Sequence, residues 1–132
     1  MDFLEANGAN PIRTWFVDEI LEGARATIDD RILRMEMMPR WPAKWTSAYE
    51  GVDGVFEIRV PFNKVQYRPF AMFSSAIRYQ VILLCGAIER GGKIRRSTLD
   101  TVARRRDELR KEPLRVRRHQ FNPKGTLGES QE

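Results

Sequence analysis

Residues 54–87 read Gly54-Val55-Phe56-Glu57-Ile58-Arg59-Val60-Pro61-Phe62-Asn63-Lys64-Val65-Gln66-Tyr67-Arg68-Pro69-Phe70-Ala71-Met72-Phe73-Ser74-Ser75-Ala76-Ile77-Arg78-Tyr79-Gln80-Val81-Ile82-Leu83-Leu84-Cys85-Gly86-Ala87. Alternation in the first arm puts Phe56, Ile58 and Val60 on one face and Val55, Glu57 and Arg59 on the other, the pattern of a half-buried strand. Turn formers at Pro61–Lys64 lead into a second arm, Val65 to Phe73. Pro69 weakens that arm as a central strand, so the pair reads as a hairpin whose Pro69 side is an edge or an irregular region. The third arm, Arg78 to Ala87, is continuously apolar over Val81–Leu84. Such a run suits a strand covered on both faces, at the centre of the sheet.

Helical patterns flank this β region. Asn10-Pro11 is a capped helix start, and Trp15, Phe16, Ile20 and Leu21 follow at near-helical spacing. A second start is expected at Thr27, with Asp30 completing a capping box and Ile28, Ile32 and Met35 facing inward. A final helix is expected from Ser97, reciprocally capped by Asp100. Its inward side is Leu99, Val102, Ala103, Arg106 and Leu109, and its outward side carries Arg104, Arg105 and Arg110. Leu114–Phe121 reads as a short strand or a basic arm. Between the helices and the sheet, Trp41, Trp45 and Tyr49 supply core area in preference to a stacking platform for bases. These elements predict one α+β domain over residues 1–121 and a flexible polar tail over 122–132.

With 23 Lys and Arg against 18 Asp and Glu, the 132-residue chain carries a formal charge of +5. The excess is concentrated at the end: residues 93–132 hold twelve basic and six acidic side chains, whereas residues 1–50 hold six and nine. That asymmetry is what a face meeting a polyanion shows, although solvated helix surfaces also produce it. Cys85 is the sole cysteine, which excludes an intrachain disulfide, and its apolar strand makes it a small hydrophobe. His119 is the sole histidine, so no multi-histidine metal site is expected, and no cofactor is implied. Gly91-Gly92-Lys93 lacks the spacing of a nucleotide-binding loop, and Ser74-Ser75 lacks an activating partner. No apolar run approaches the roughly 20 residues that cross a bilayer, and the first residues lack the basic region of a secretion signal. A soluble cytoplasmic protein is the default.

The cations that remain are Arg59 and Arg68 on adjacent arms and Arg90, Lys93, Arg95 and Arg96 in the following loop. Guanidinium groups match phosphate bidentately and an ammonium supplies compact charge, so the set could hold an RNA backbone. Around a scissile phosphate the same groups would stabilise the phosphorane without metal. RNA brings its own nucleophile, the 2′-hydroxyl, so the protein need only align it and supply an acid and a base. Tyr67, Tyr79 and His119 are the candidates for proton transfer. For Arg59 the plainer reading is an ion pair with Glu57 on the same strand face.

The order Gly54-Val55-Phe56-Glu57-Ile58-Arg59, Tyr67-Arg68, Val81 to Gly86, a basic loop and a helix containing Ala103-Arg104 resembles the phage-derived Gp49-like, HigB-type toxins of the RelE superfamily, over roughly residues 12–110. The resemblance implies two N-terminal helices packed on a twisted, mostly antiparallel sheet, with a C-terminal helix. It implies a type II toxin that cleaves messenger RNA on the ribosome, using Arg59, Arg68, Lys93 and Tyr67 as catalytic residues. Arg90, Arg95, Arg96, Arg104, Arg105 and His119 would bind RNA. It also implies a helix-turn-helix, HigA-like antitoxin and operator DNA bound only through the toxin–antitoxin complex. The alternative is a non-catalytic RNA-binding or phage regulatory protein on the same scaffold. Cys85 stands where relatives commonly have histidine, Ala87 where an aromatic is frequent, and Glu89-Arg90 in place of a Lys-Lys pair. Glu89 reverses a charge at a site expected to meet RNA. The nuclease reading requires Arg59, Arg68 and the Lys93 loop to converge on one open hollow; separate surfaces, or burial against acidic partners, would remove it.

Overall fold

The computed structural model describes residues 1–121, so the tail expected over 122–132 lies outside the described residues. Nine short strands and three α-helices form an α+β fold with helices on both faces of a mixed sheet. The strands are β1 (Asp2–Phe3), β2 (Thr46–Ala48), β3 (Phe56–Ile58), β4 (Val60–Phe62), β5 (Val65–Tyr67), β6 (Phe70–Phe73), β7 (Val81–Cys85), β8 (Ile88–Glu89) and β9 (Val116–Arg117). The helices are α1 (Pro11–Thr14), α2 (Glu22–Glu36) and α3 (Arg96–Lys111), and a π-helical turn over Trp15–Glu19 continues α1.

The main sheet runs in the order β2-β3-β6-β7-β1-β9 and a smaller one in the order β4-β5-β8. All pairs are antiparallel except β1 with β7. The two sheets are one set of long strands folded across a crease: β3 passes to β4 at Arg59, β5 to β6 at Arg68-Pro69, and β7 to β8 at Gly86-Ala87. Pro69 has no N–H to continue a ladder, but its carbonyl accepts from Ile58 N, and Arg68 N donates to the Ala87 carbonyl. Of the two expectations at Pro69, the irregular region holds and the edge does not: β6 is interior, and the proline sits in the crease. The expectation for the third arm holds, since β7 lies between β6 and β1 with Ile82, Leu83 and Leu84 buried.

Strand alternation assigns each face its core. Ile58, Val60, Tyr67, Ala71 and Leu83 meet Ile12, Trp15, Phe16 and the Ala24, Ile28, Ile32, Met35 stripe of α2 on one face. Phe70, Met72, Ile82 and Leu84 meet Val102 and Leu109 of α3 on the other. Asn10 caps α1 as expected, its Oδ1 accepting from Arg13 N at 2.9 Å. Neither other expected cap forms. Helix α2 starts at Glu22, placing Thr27 inside it with its hydroxyl on the Gly23 carbonyl, and Asp30 pairs with Arg34. Helix α3 starts at Arg96 without a side-chain cap, and Asp100 pairs with Arg96. Trp41 and Trp45 pack against the first core, and Trp41 Nε1 donates to the Met35 carbonyl.

Candidate functional site

The crease gathers four charged side chains from three strand passages. Glu57 and Arg59 share a face because they are two residues apart, and the register Val60↔Tyr67 places Arg68 beside them. The pairing Gln66↔Glu89 brings Glu89 alongside β5. Glu57 Oε1 accepts from Arg59 Nε at 3.3 Å and lies 3.7 Å from Arg68 Nε, while Glu89 Oε1 lies 3.3 Å from the Arg68 guanidinium. Arg68 also donates to the Tyr67 carbonyl at 3.2 Å. The plainer reading of Arg59, an ion pair with Glu57, is thus realised.

Arg68 is held from both sides. Its side chain is 9% exposed, whereas that of Arg59 is 43% exposed. The contact with Glu57 is too long for a hydrogen bond, so Arg68 Nε is buried with none. Two carboxylates offset two guanidiniums, and an incoming phosphate must compete with Glu89 for Arg68. The requirement set by the sequence is met only in part. Arg59 and Arg68 do converge, but Arg68 is buried against acidic partners.

The basic loop begins where Glu89 ends. Arg90 and Lys93 pair across Gly91-Gly92, whose left-handed φ values of 58° and 76° make the two-residue turn of a tight hairpin. Arg90, Lys93, Arg95 and Arg96 are all exposed. Their hairpin is tied to the crease through the β5–β8 ladder.

Four other expected site residues are elsewhere. Arg105 is turned inward, donating to the Leu84 carbonyl at 2.8 Å, and with Arg104 it pairs to Glu5, tying α3 to the N-terminal segment. Tyr67 is buried in the first core, edge-on to Trp15. His119 is buried between two carboxylates, with Nδ1 2.7 Å from Asp2 and Nε2 2.9 Å from Asp29. Burial opposes its charge, but the hydrogen bonds and charges of Asp2 and Asp29 outweigh that cost and raise its pKa from 6.5 to about 9. It is a protonated clip joining β1, α2 and the segment after β9, and Arg104 and Arg105 fasten α3 to Glu5, so all three expected RNA contacts already hold protein partners, Arg104 with its side chain still 49% exposed. Tyr79, the other proposed proton carrier, is 79% exposed in the loop before β7.

Glu89 was expected at the site as a reversed charge but not as the partner of Arg68, and the two aspartates were not expected there. Only the sheet register and the return of the chain end reveal them. Burial raises the pKa of the Cys85 thiol, as suits a small apolar filler. Among the described residues no group of three or more His, Cys, Asp or Glu is placed to hold a metal ion, and no helix is long and apolar enough to cross a membrane. Comparison of the chain with protein-family models, with curated proteins and with solved structures gives no match.

Proposed function

We propose that this chain is the toxin of a type II toxin–antitoxin pair and acts on messenger RNA at the ribosome. The observation that carries the reading is the meeting of Arg59 and Arg68 at one oxygen of Glu57, on a crease from which the Arg90–Lys93 hairpin also rises. Arg59, Arg90 and Lys93 offer the first contacts to the RNA backbone. Arg68 then joins the phosphate by exchanging Glu89 for a phosphate oxygen. Attack of a 2′-hydroxyl on the adjacent phosphorus would release the 5′-oxygen and leave a 2′,3′-cyclic phosphate. An antitoxin carrying a helix-turn-helix domain would be the inhibitor, and operator DNA would be bound through the complex.

A second reading, RNA binding without cleavage, is favoured by one specific feature. Arg68 is enclosed by Glu57 and Glu89, and Tyr67 and His119 are both buried away from solvent. Induced expression with transcriptome-wide mapping of new 5′ ends separates the two. Growth arrest with new ends that vanish in Arg59→Ala supports the toxin nuclease. RNA crosslinked to the hairpin without new ends supports the second reading, and neither cuts nor crosslinks would overturn both.

A further inference from the structure

A groove of about 1190 Å³ shares no lining residue with the charged crease. It opens between the C-terminal half of α2 (Ile32, Met35) and the sheet face bearing Phe73, Val81 and Leu83, with Met38 and Trp41 along its wall. The lining carries Arg78 and Arg118 against Glu36, the one carboxylate among the described lining residues, while the Met1 nitrogen donates to the Val81 carbonyl. Phe73 of the lining is 50% exposed and stacks on Trp41. Tyr79 adopts φ 65°, a left-handed conformation that costs a bulky residue energy, and still displays its ring to solvent beneath the Arg78 guanidinium. A strained, exposed aromatic at the mouth of an apolar groove is unexplained by the stability of the fold.

We propose that this groove docks an acidic amphipathic helix of a partner protein. Strands β3, β6 and β7, which form its floor, are each paired on both sides, so an extended peptide would find no free backbone edge there. A helix satisfies its own backbone and needs only side-chain pockets, and flexible methionines adapt to such faces. Arg78 and Arg118 select acidic flanks. The other occupants fit worse. A second copy, itself at +5, would bring like charge to these arginines. Residues 122–132 contain one large apolar side chain, Leu127, too little to fill this volume. RNA would find aromatic faces in Phe73 and Tyr79 and cations in Arg78 and Arg118, but the wall of Ile32, Leu33, Met35 and Met38 offers a base neither a stacking face nor a hydrogen bond.

The test uses the full chain and a displayed library of helices of about four turns, with leucines fixed at i, i+3, i+4 and i+7 and the other positions free to be Glu, Lys, Gln or Ala. Selection should enrich Glu over Lys on the flanks. The enriched peptides should bind at least about tenfold more weakly to Phe73→Asp and to Arg118→Glu, a loss of about 1.4 kcal/mol. Tyr79→Gly should weaken binding while raising the melting temperature, because glycine relieves the left-handed strain. Enrichment of Lys, peptides indifferent to all three substitutions, self-association that Phe73→Asp abolishes, or displacement of the peptide by a single-stranded RNA would each overturn the proposal.

Discussion

His119 carries a charge that its burial would ordinarily deny it, and Asp2 and Asp29 are the reason. Its pKa is 6.5 when unfolded and about 9 when folded. The stabilisation is therefore complete below about pH 6.5 and is lost as pH rises through about 9. A shift of this size corresponds to about 3 kcal/mol. Thermal melts should show stability falling between about pH 6 and pH 10, and His119→Gln should flatten that fall while lowering the melting temperature at the acid end. Arg68 behaves differently under substitution. Removing it leaves Glu57 and Glu89 facing each other with no cation enclosed between them, so Arg68→Ala should cost about 3 kcal/mol in chemical denaturation. Loss of toxicity in that variant would not distinguish an RNA contact from misfolding. Arg59 is the cleaner probe, because its half-exposed side chain can be truncated at a cost within about 1 kcal/mol. Glu89→Lys removes the competitor for Arg68 and adds a cation, so RNA affinity in a filter-binding assay should rise several-fold.

At the level of elements, the crease depends on Gly86. A Cβ there would lie 1.9 Å from the Trp15 ring, and Trp15 is buried with no room to retreat. Gly86→Ala must push the π-helical turn off the end of β7, and a melting curve should record a loss of about 2 kcal/mol or more. Much of this level was legible in the sequence. The alternation of Phe56, Ile58 and Val60 identified the core-facing side, and the apolar run Val81–Leu84 identified the interior strand. Asn10-Pro11 identified the first cap. The other caps were misplaced because Thr27 and Ser97 have the right residue types, but packing of Ala24 starts α2 earlier, and α3 begins one residue earlier at Arg96, which pairs with Asp100. At Pro69 the sequence left an edge and an irregular region open, because loss of one N–H is consistent with either, and only the strand pairing decides for a fold line between two sheets. Strand β1 gave no signal, since two residues are too short for any periodicity.

For the whole molecule, the charge asymmetry indicated a basic surface but not its partition. Six of the expected RNA-facing or catalytic cations are at or next to the crease, whereas Arg104 and Arg105 fasten α3 and His119 fastens the chain ends. The sequence cannot reveal which arginines are consumed internally, because their acidic partners lie up to a hundred residues away, as with Arg105 and Glu5. If the hairpin and Arg59 engage phosphates, RNA affinity should fall steeply with salt. For a single strand the log–log slope should flatten by about 0.7 in Arg59→Ala, measured by titration at several ionic strengths. An unchanged slope would place Arg59 outside the contact.

Strand β1 lies between β7 and β9, so the opening residues of the chain find one neighbour more than eighty positions later and the other at its far end. During synthesis those residues leave the exit tunnel long before their partners exist. In the nascent polypeptide they can meet β7 once it emerges, but their other side stays open until Val116 and His119 follow. A shortened product ending before residue 116 would lack β9 and the His119 clip, and its main sheet would stay open along β1.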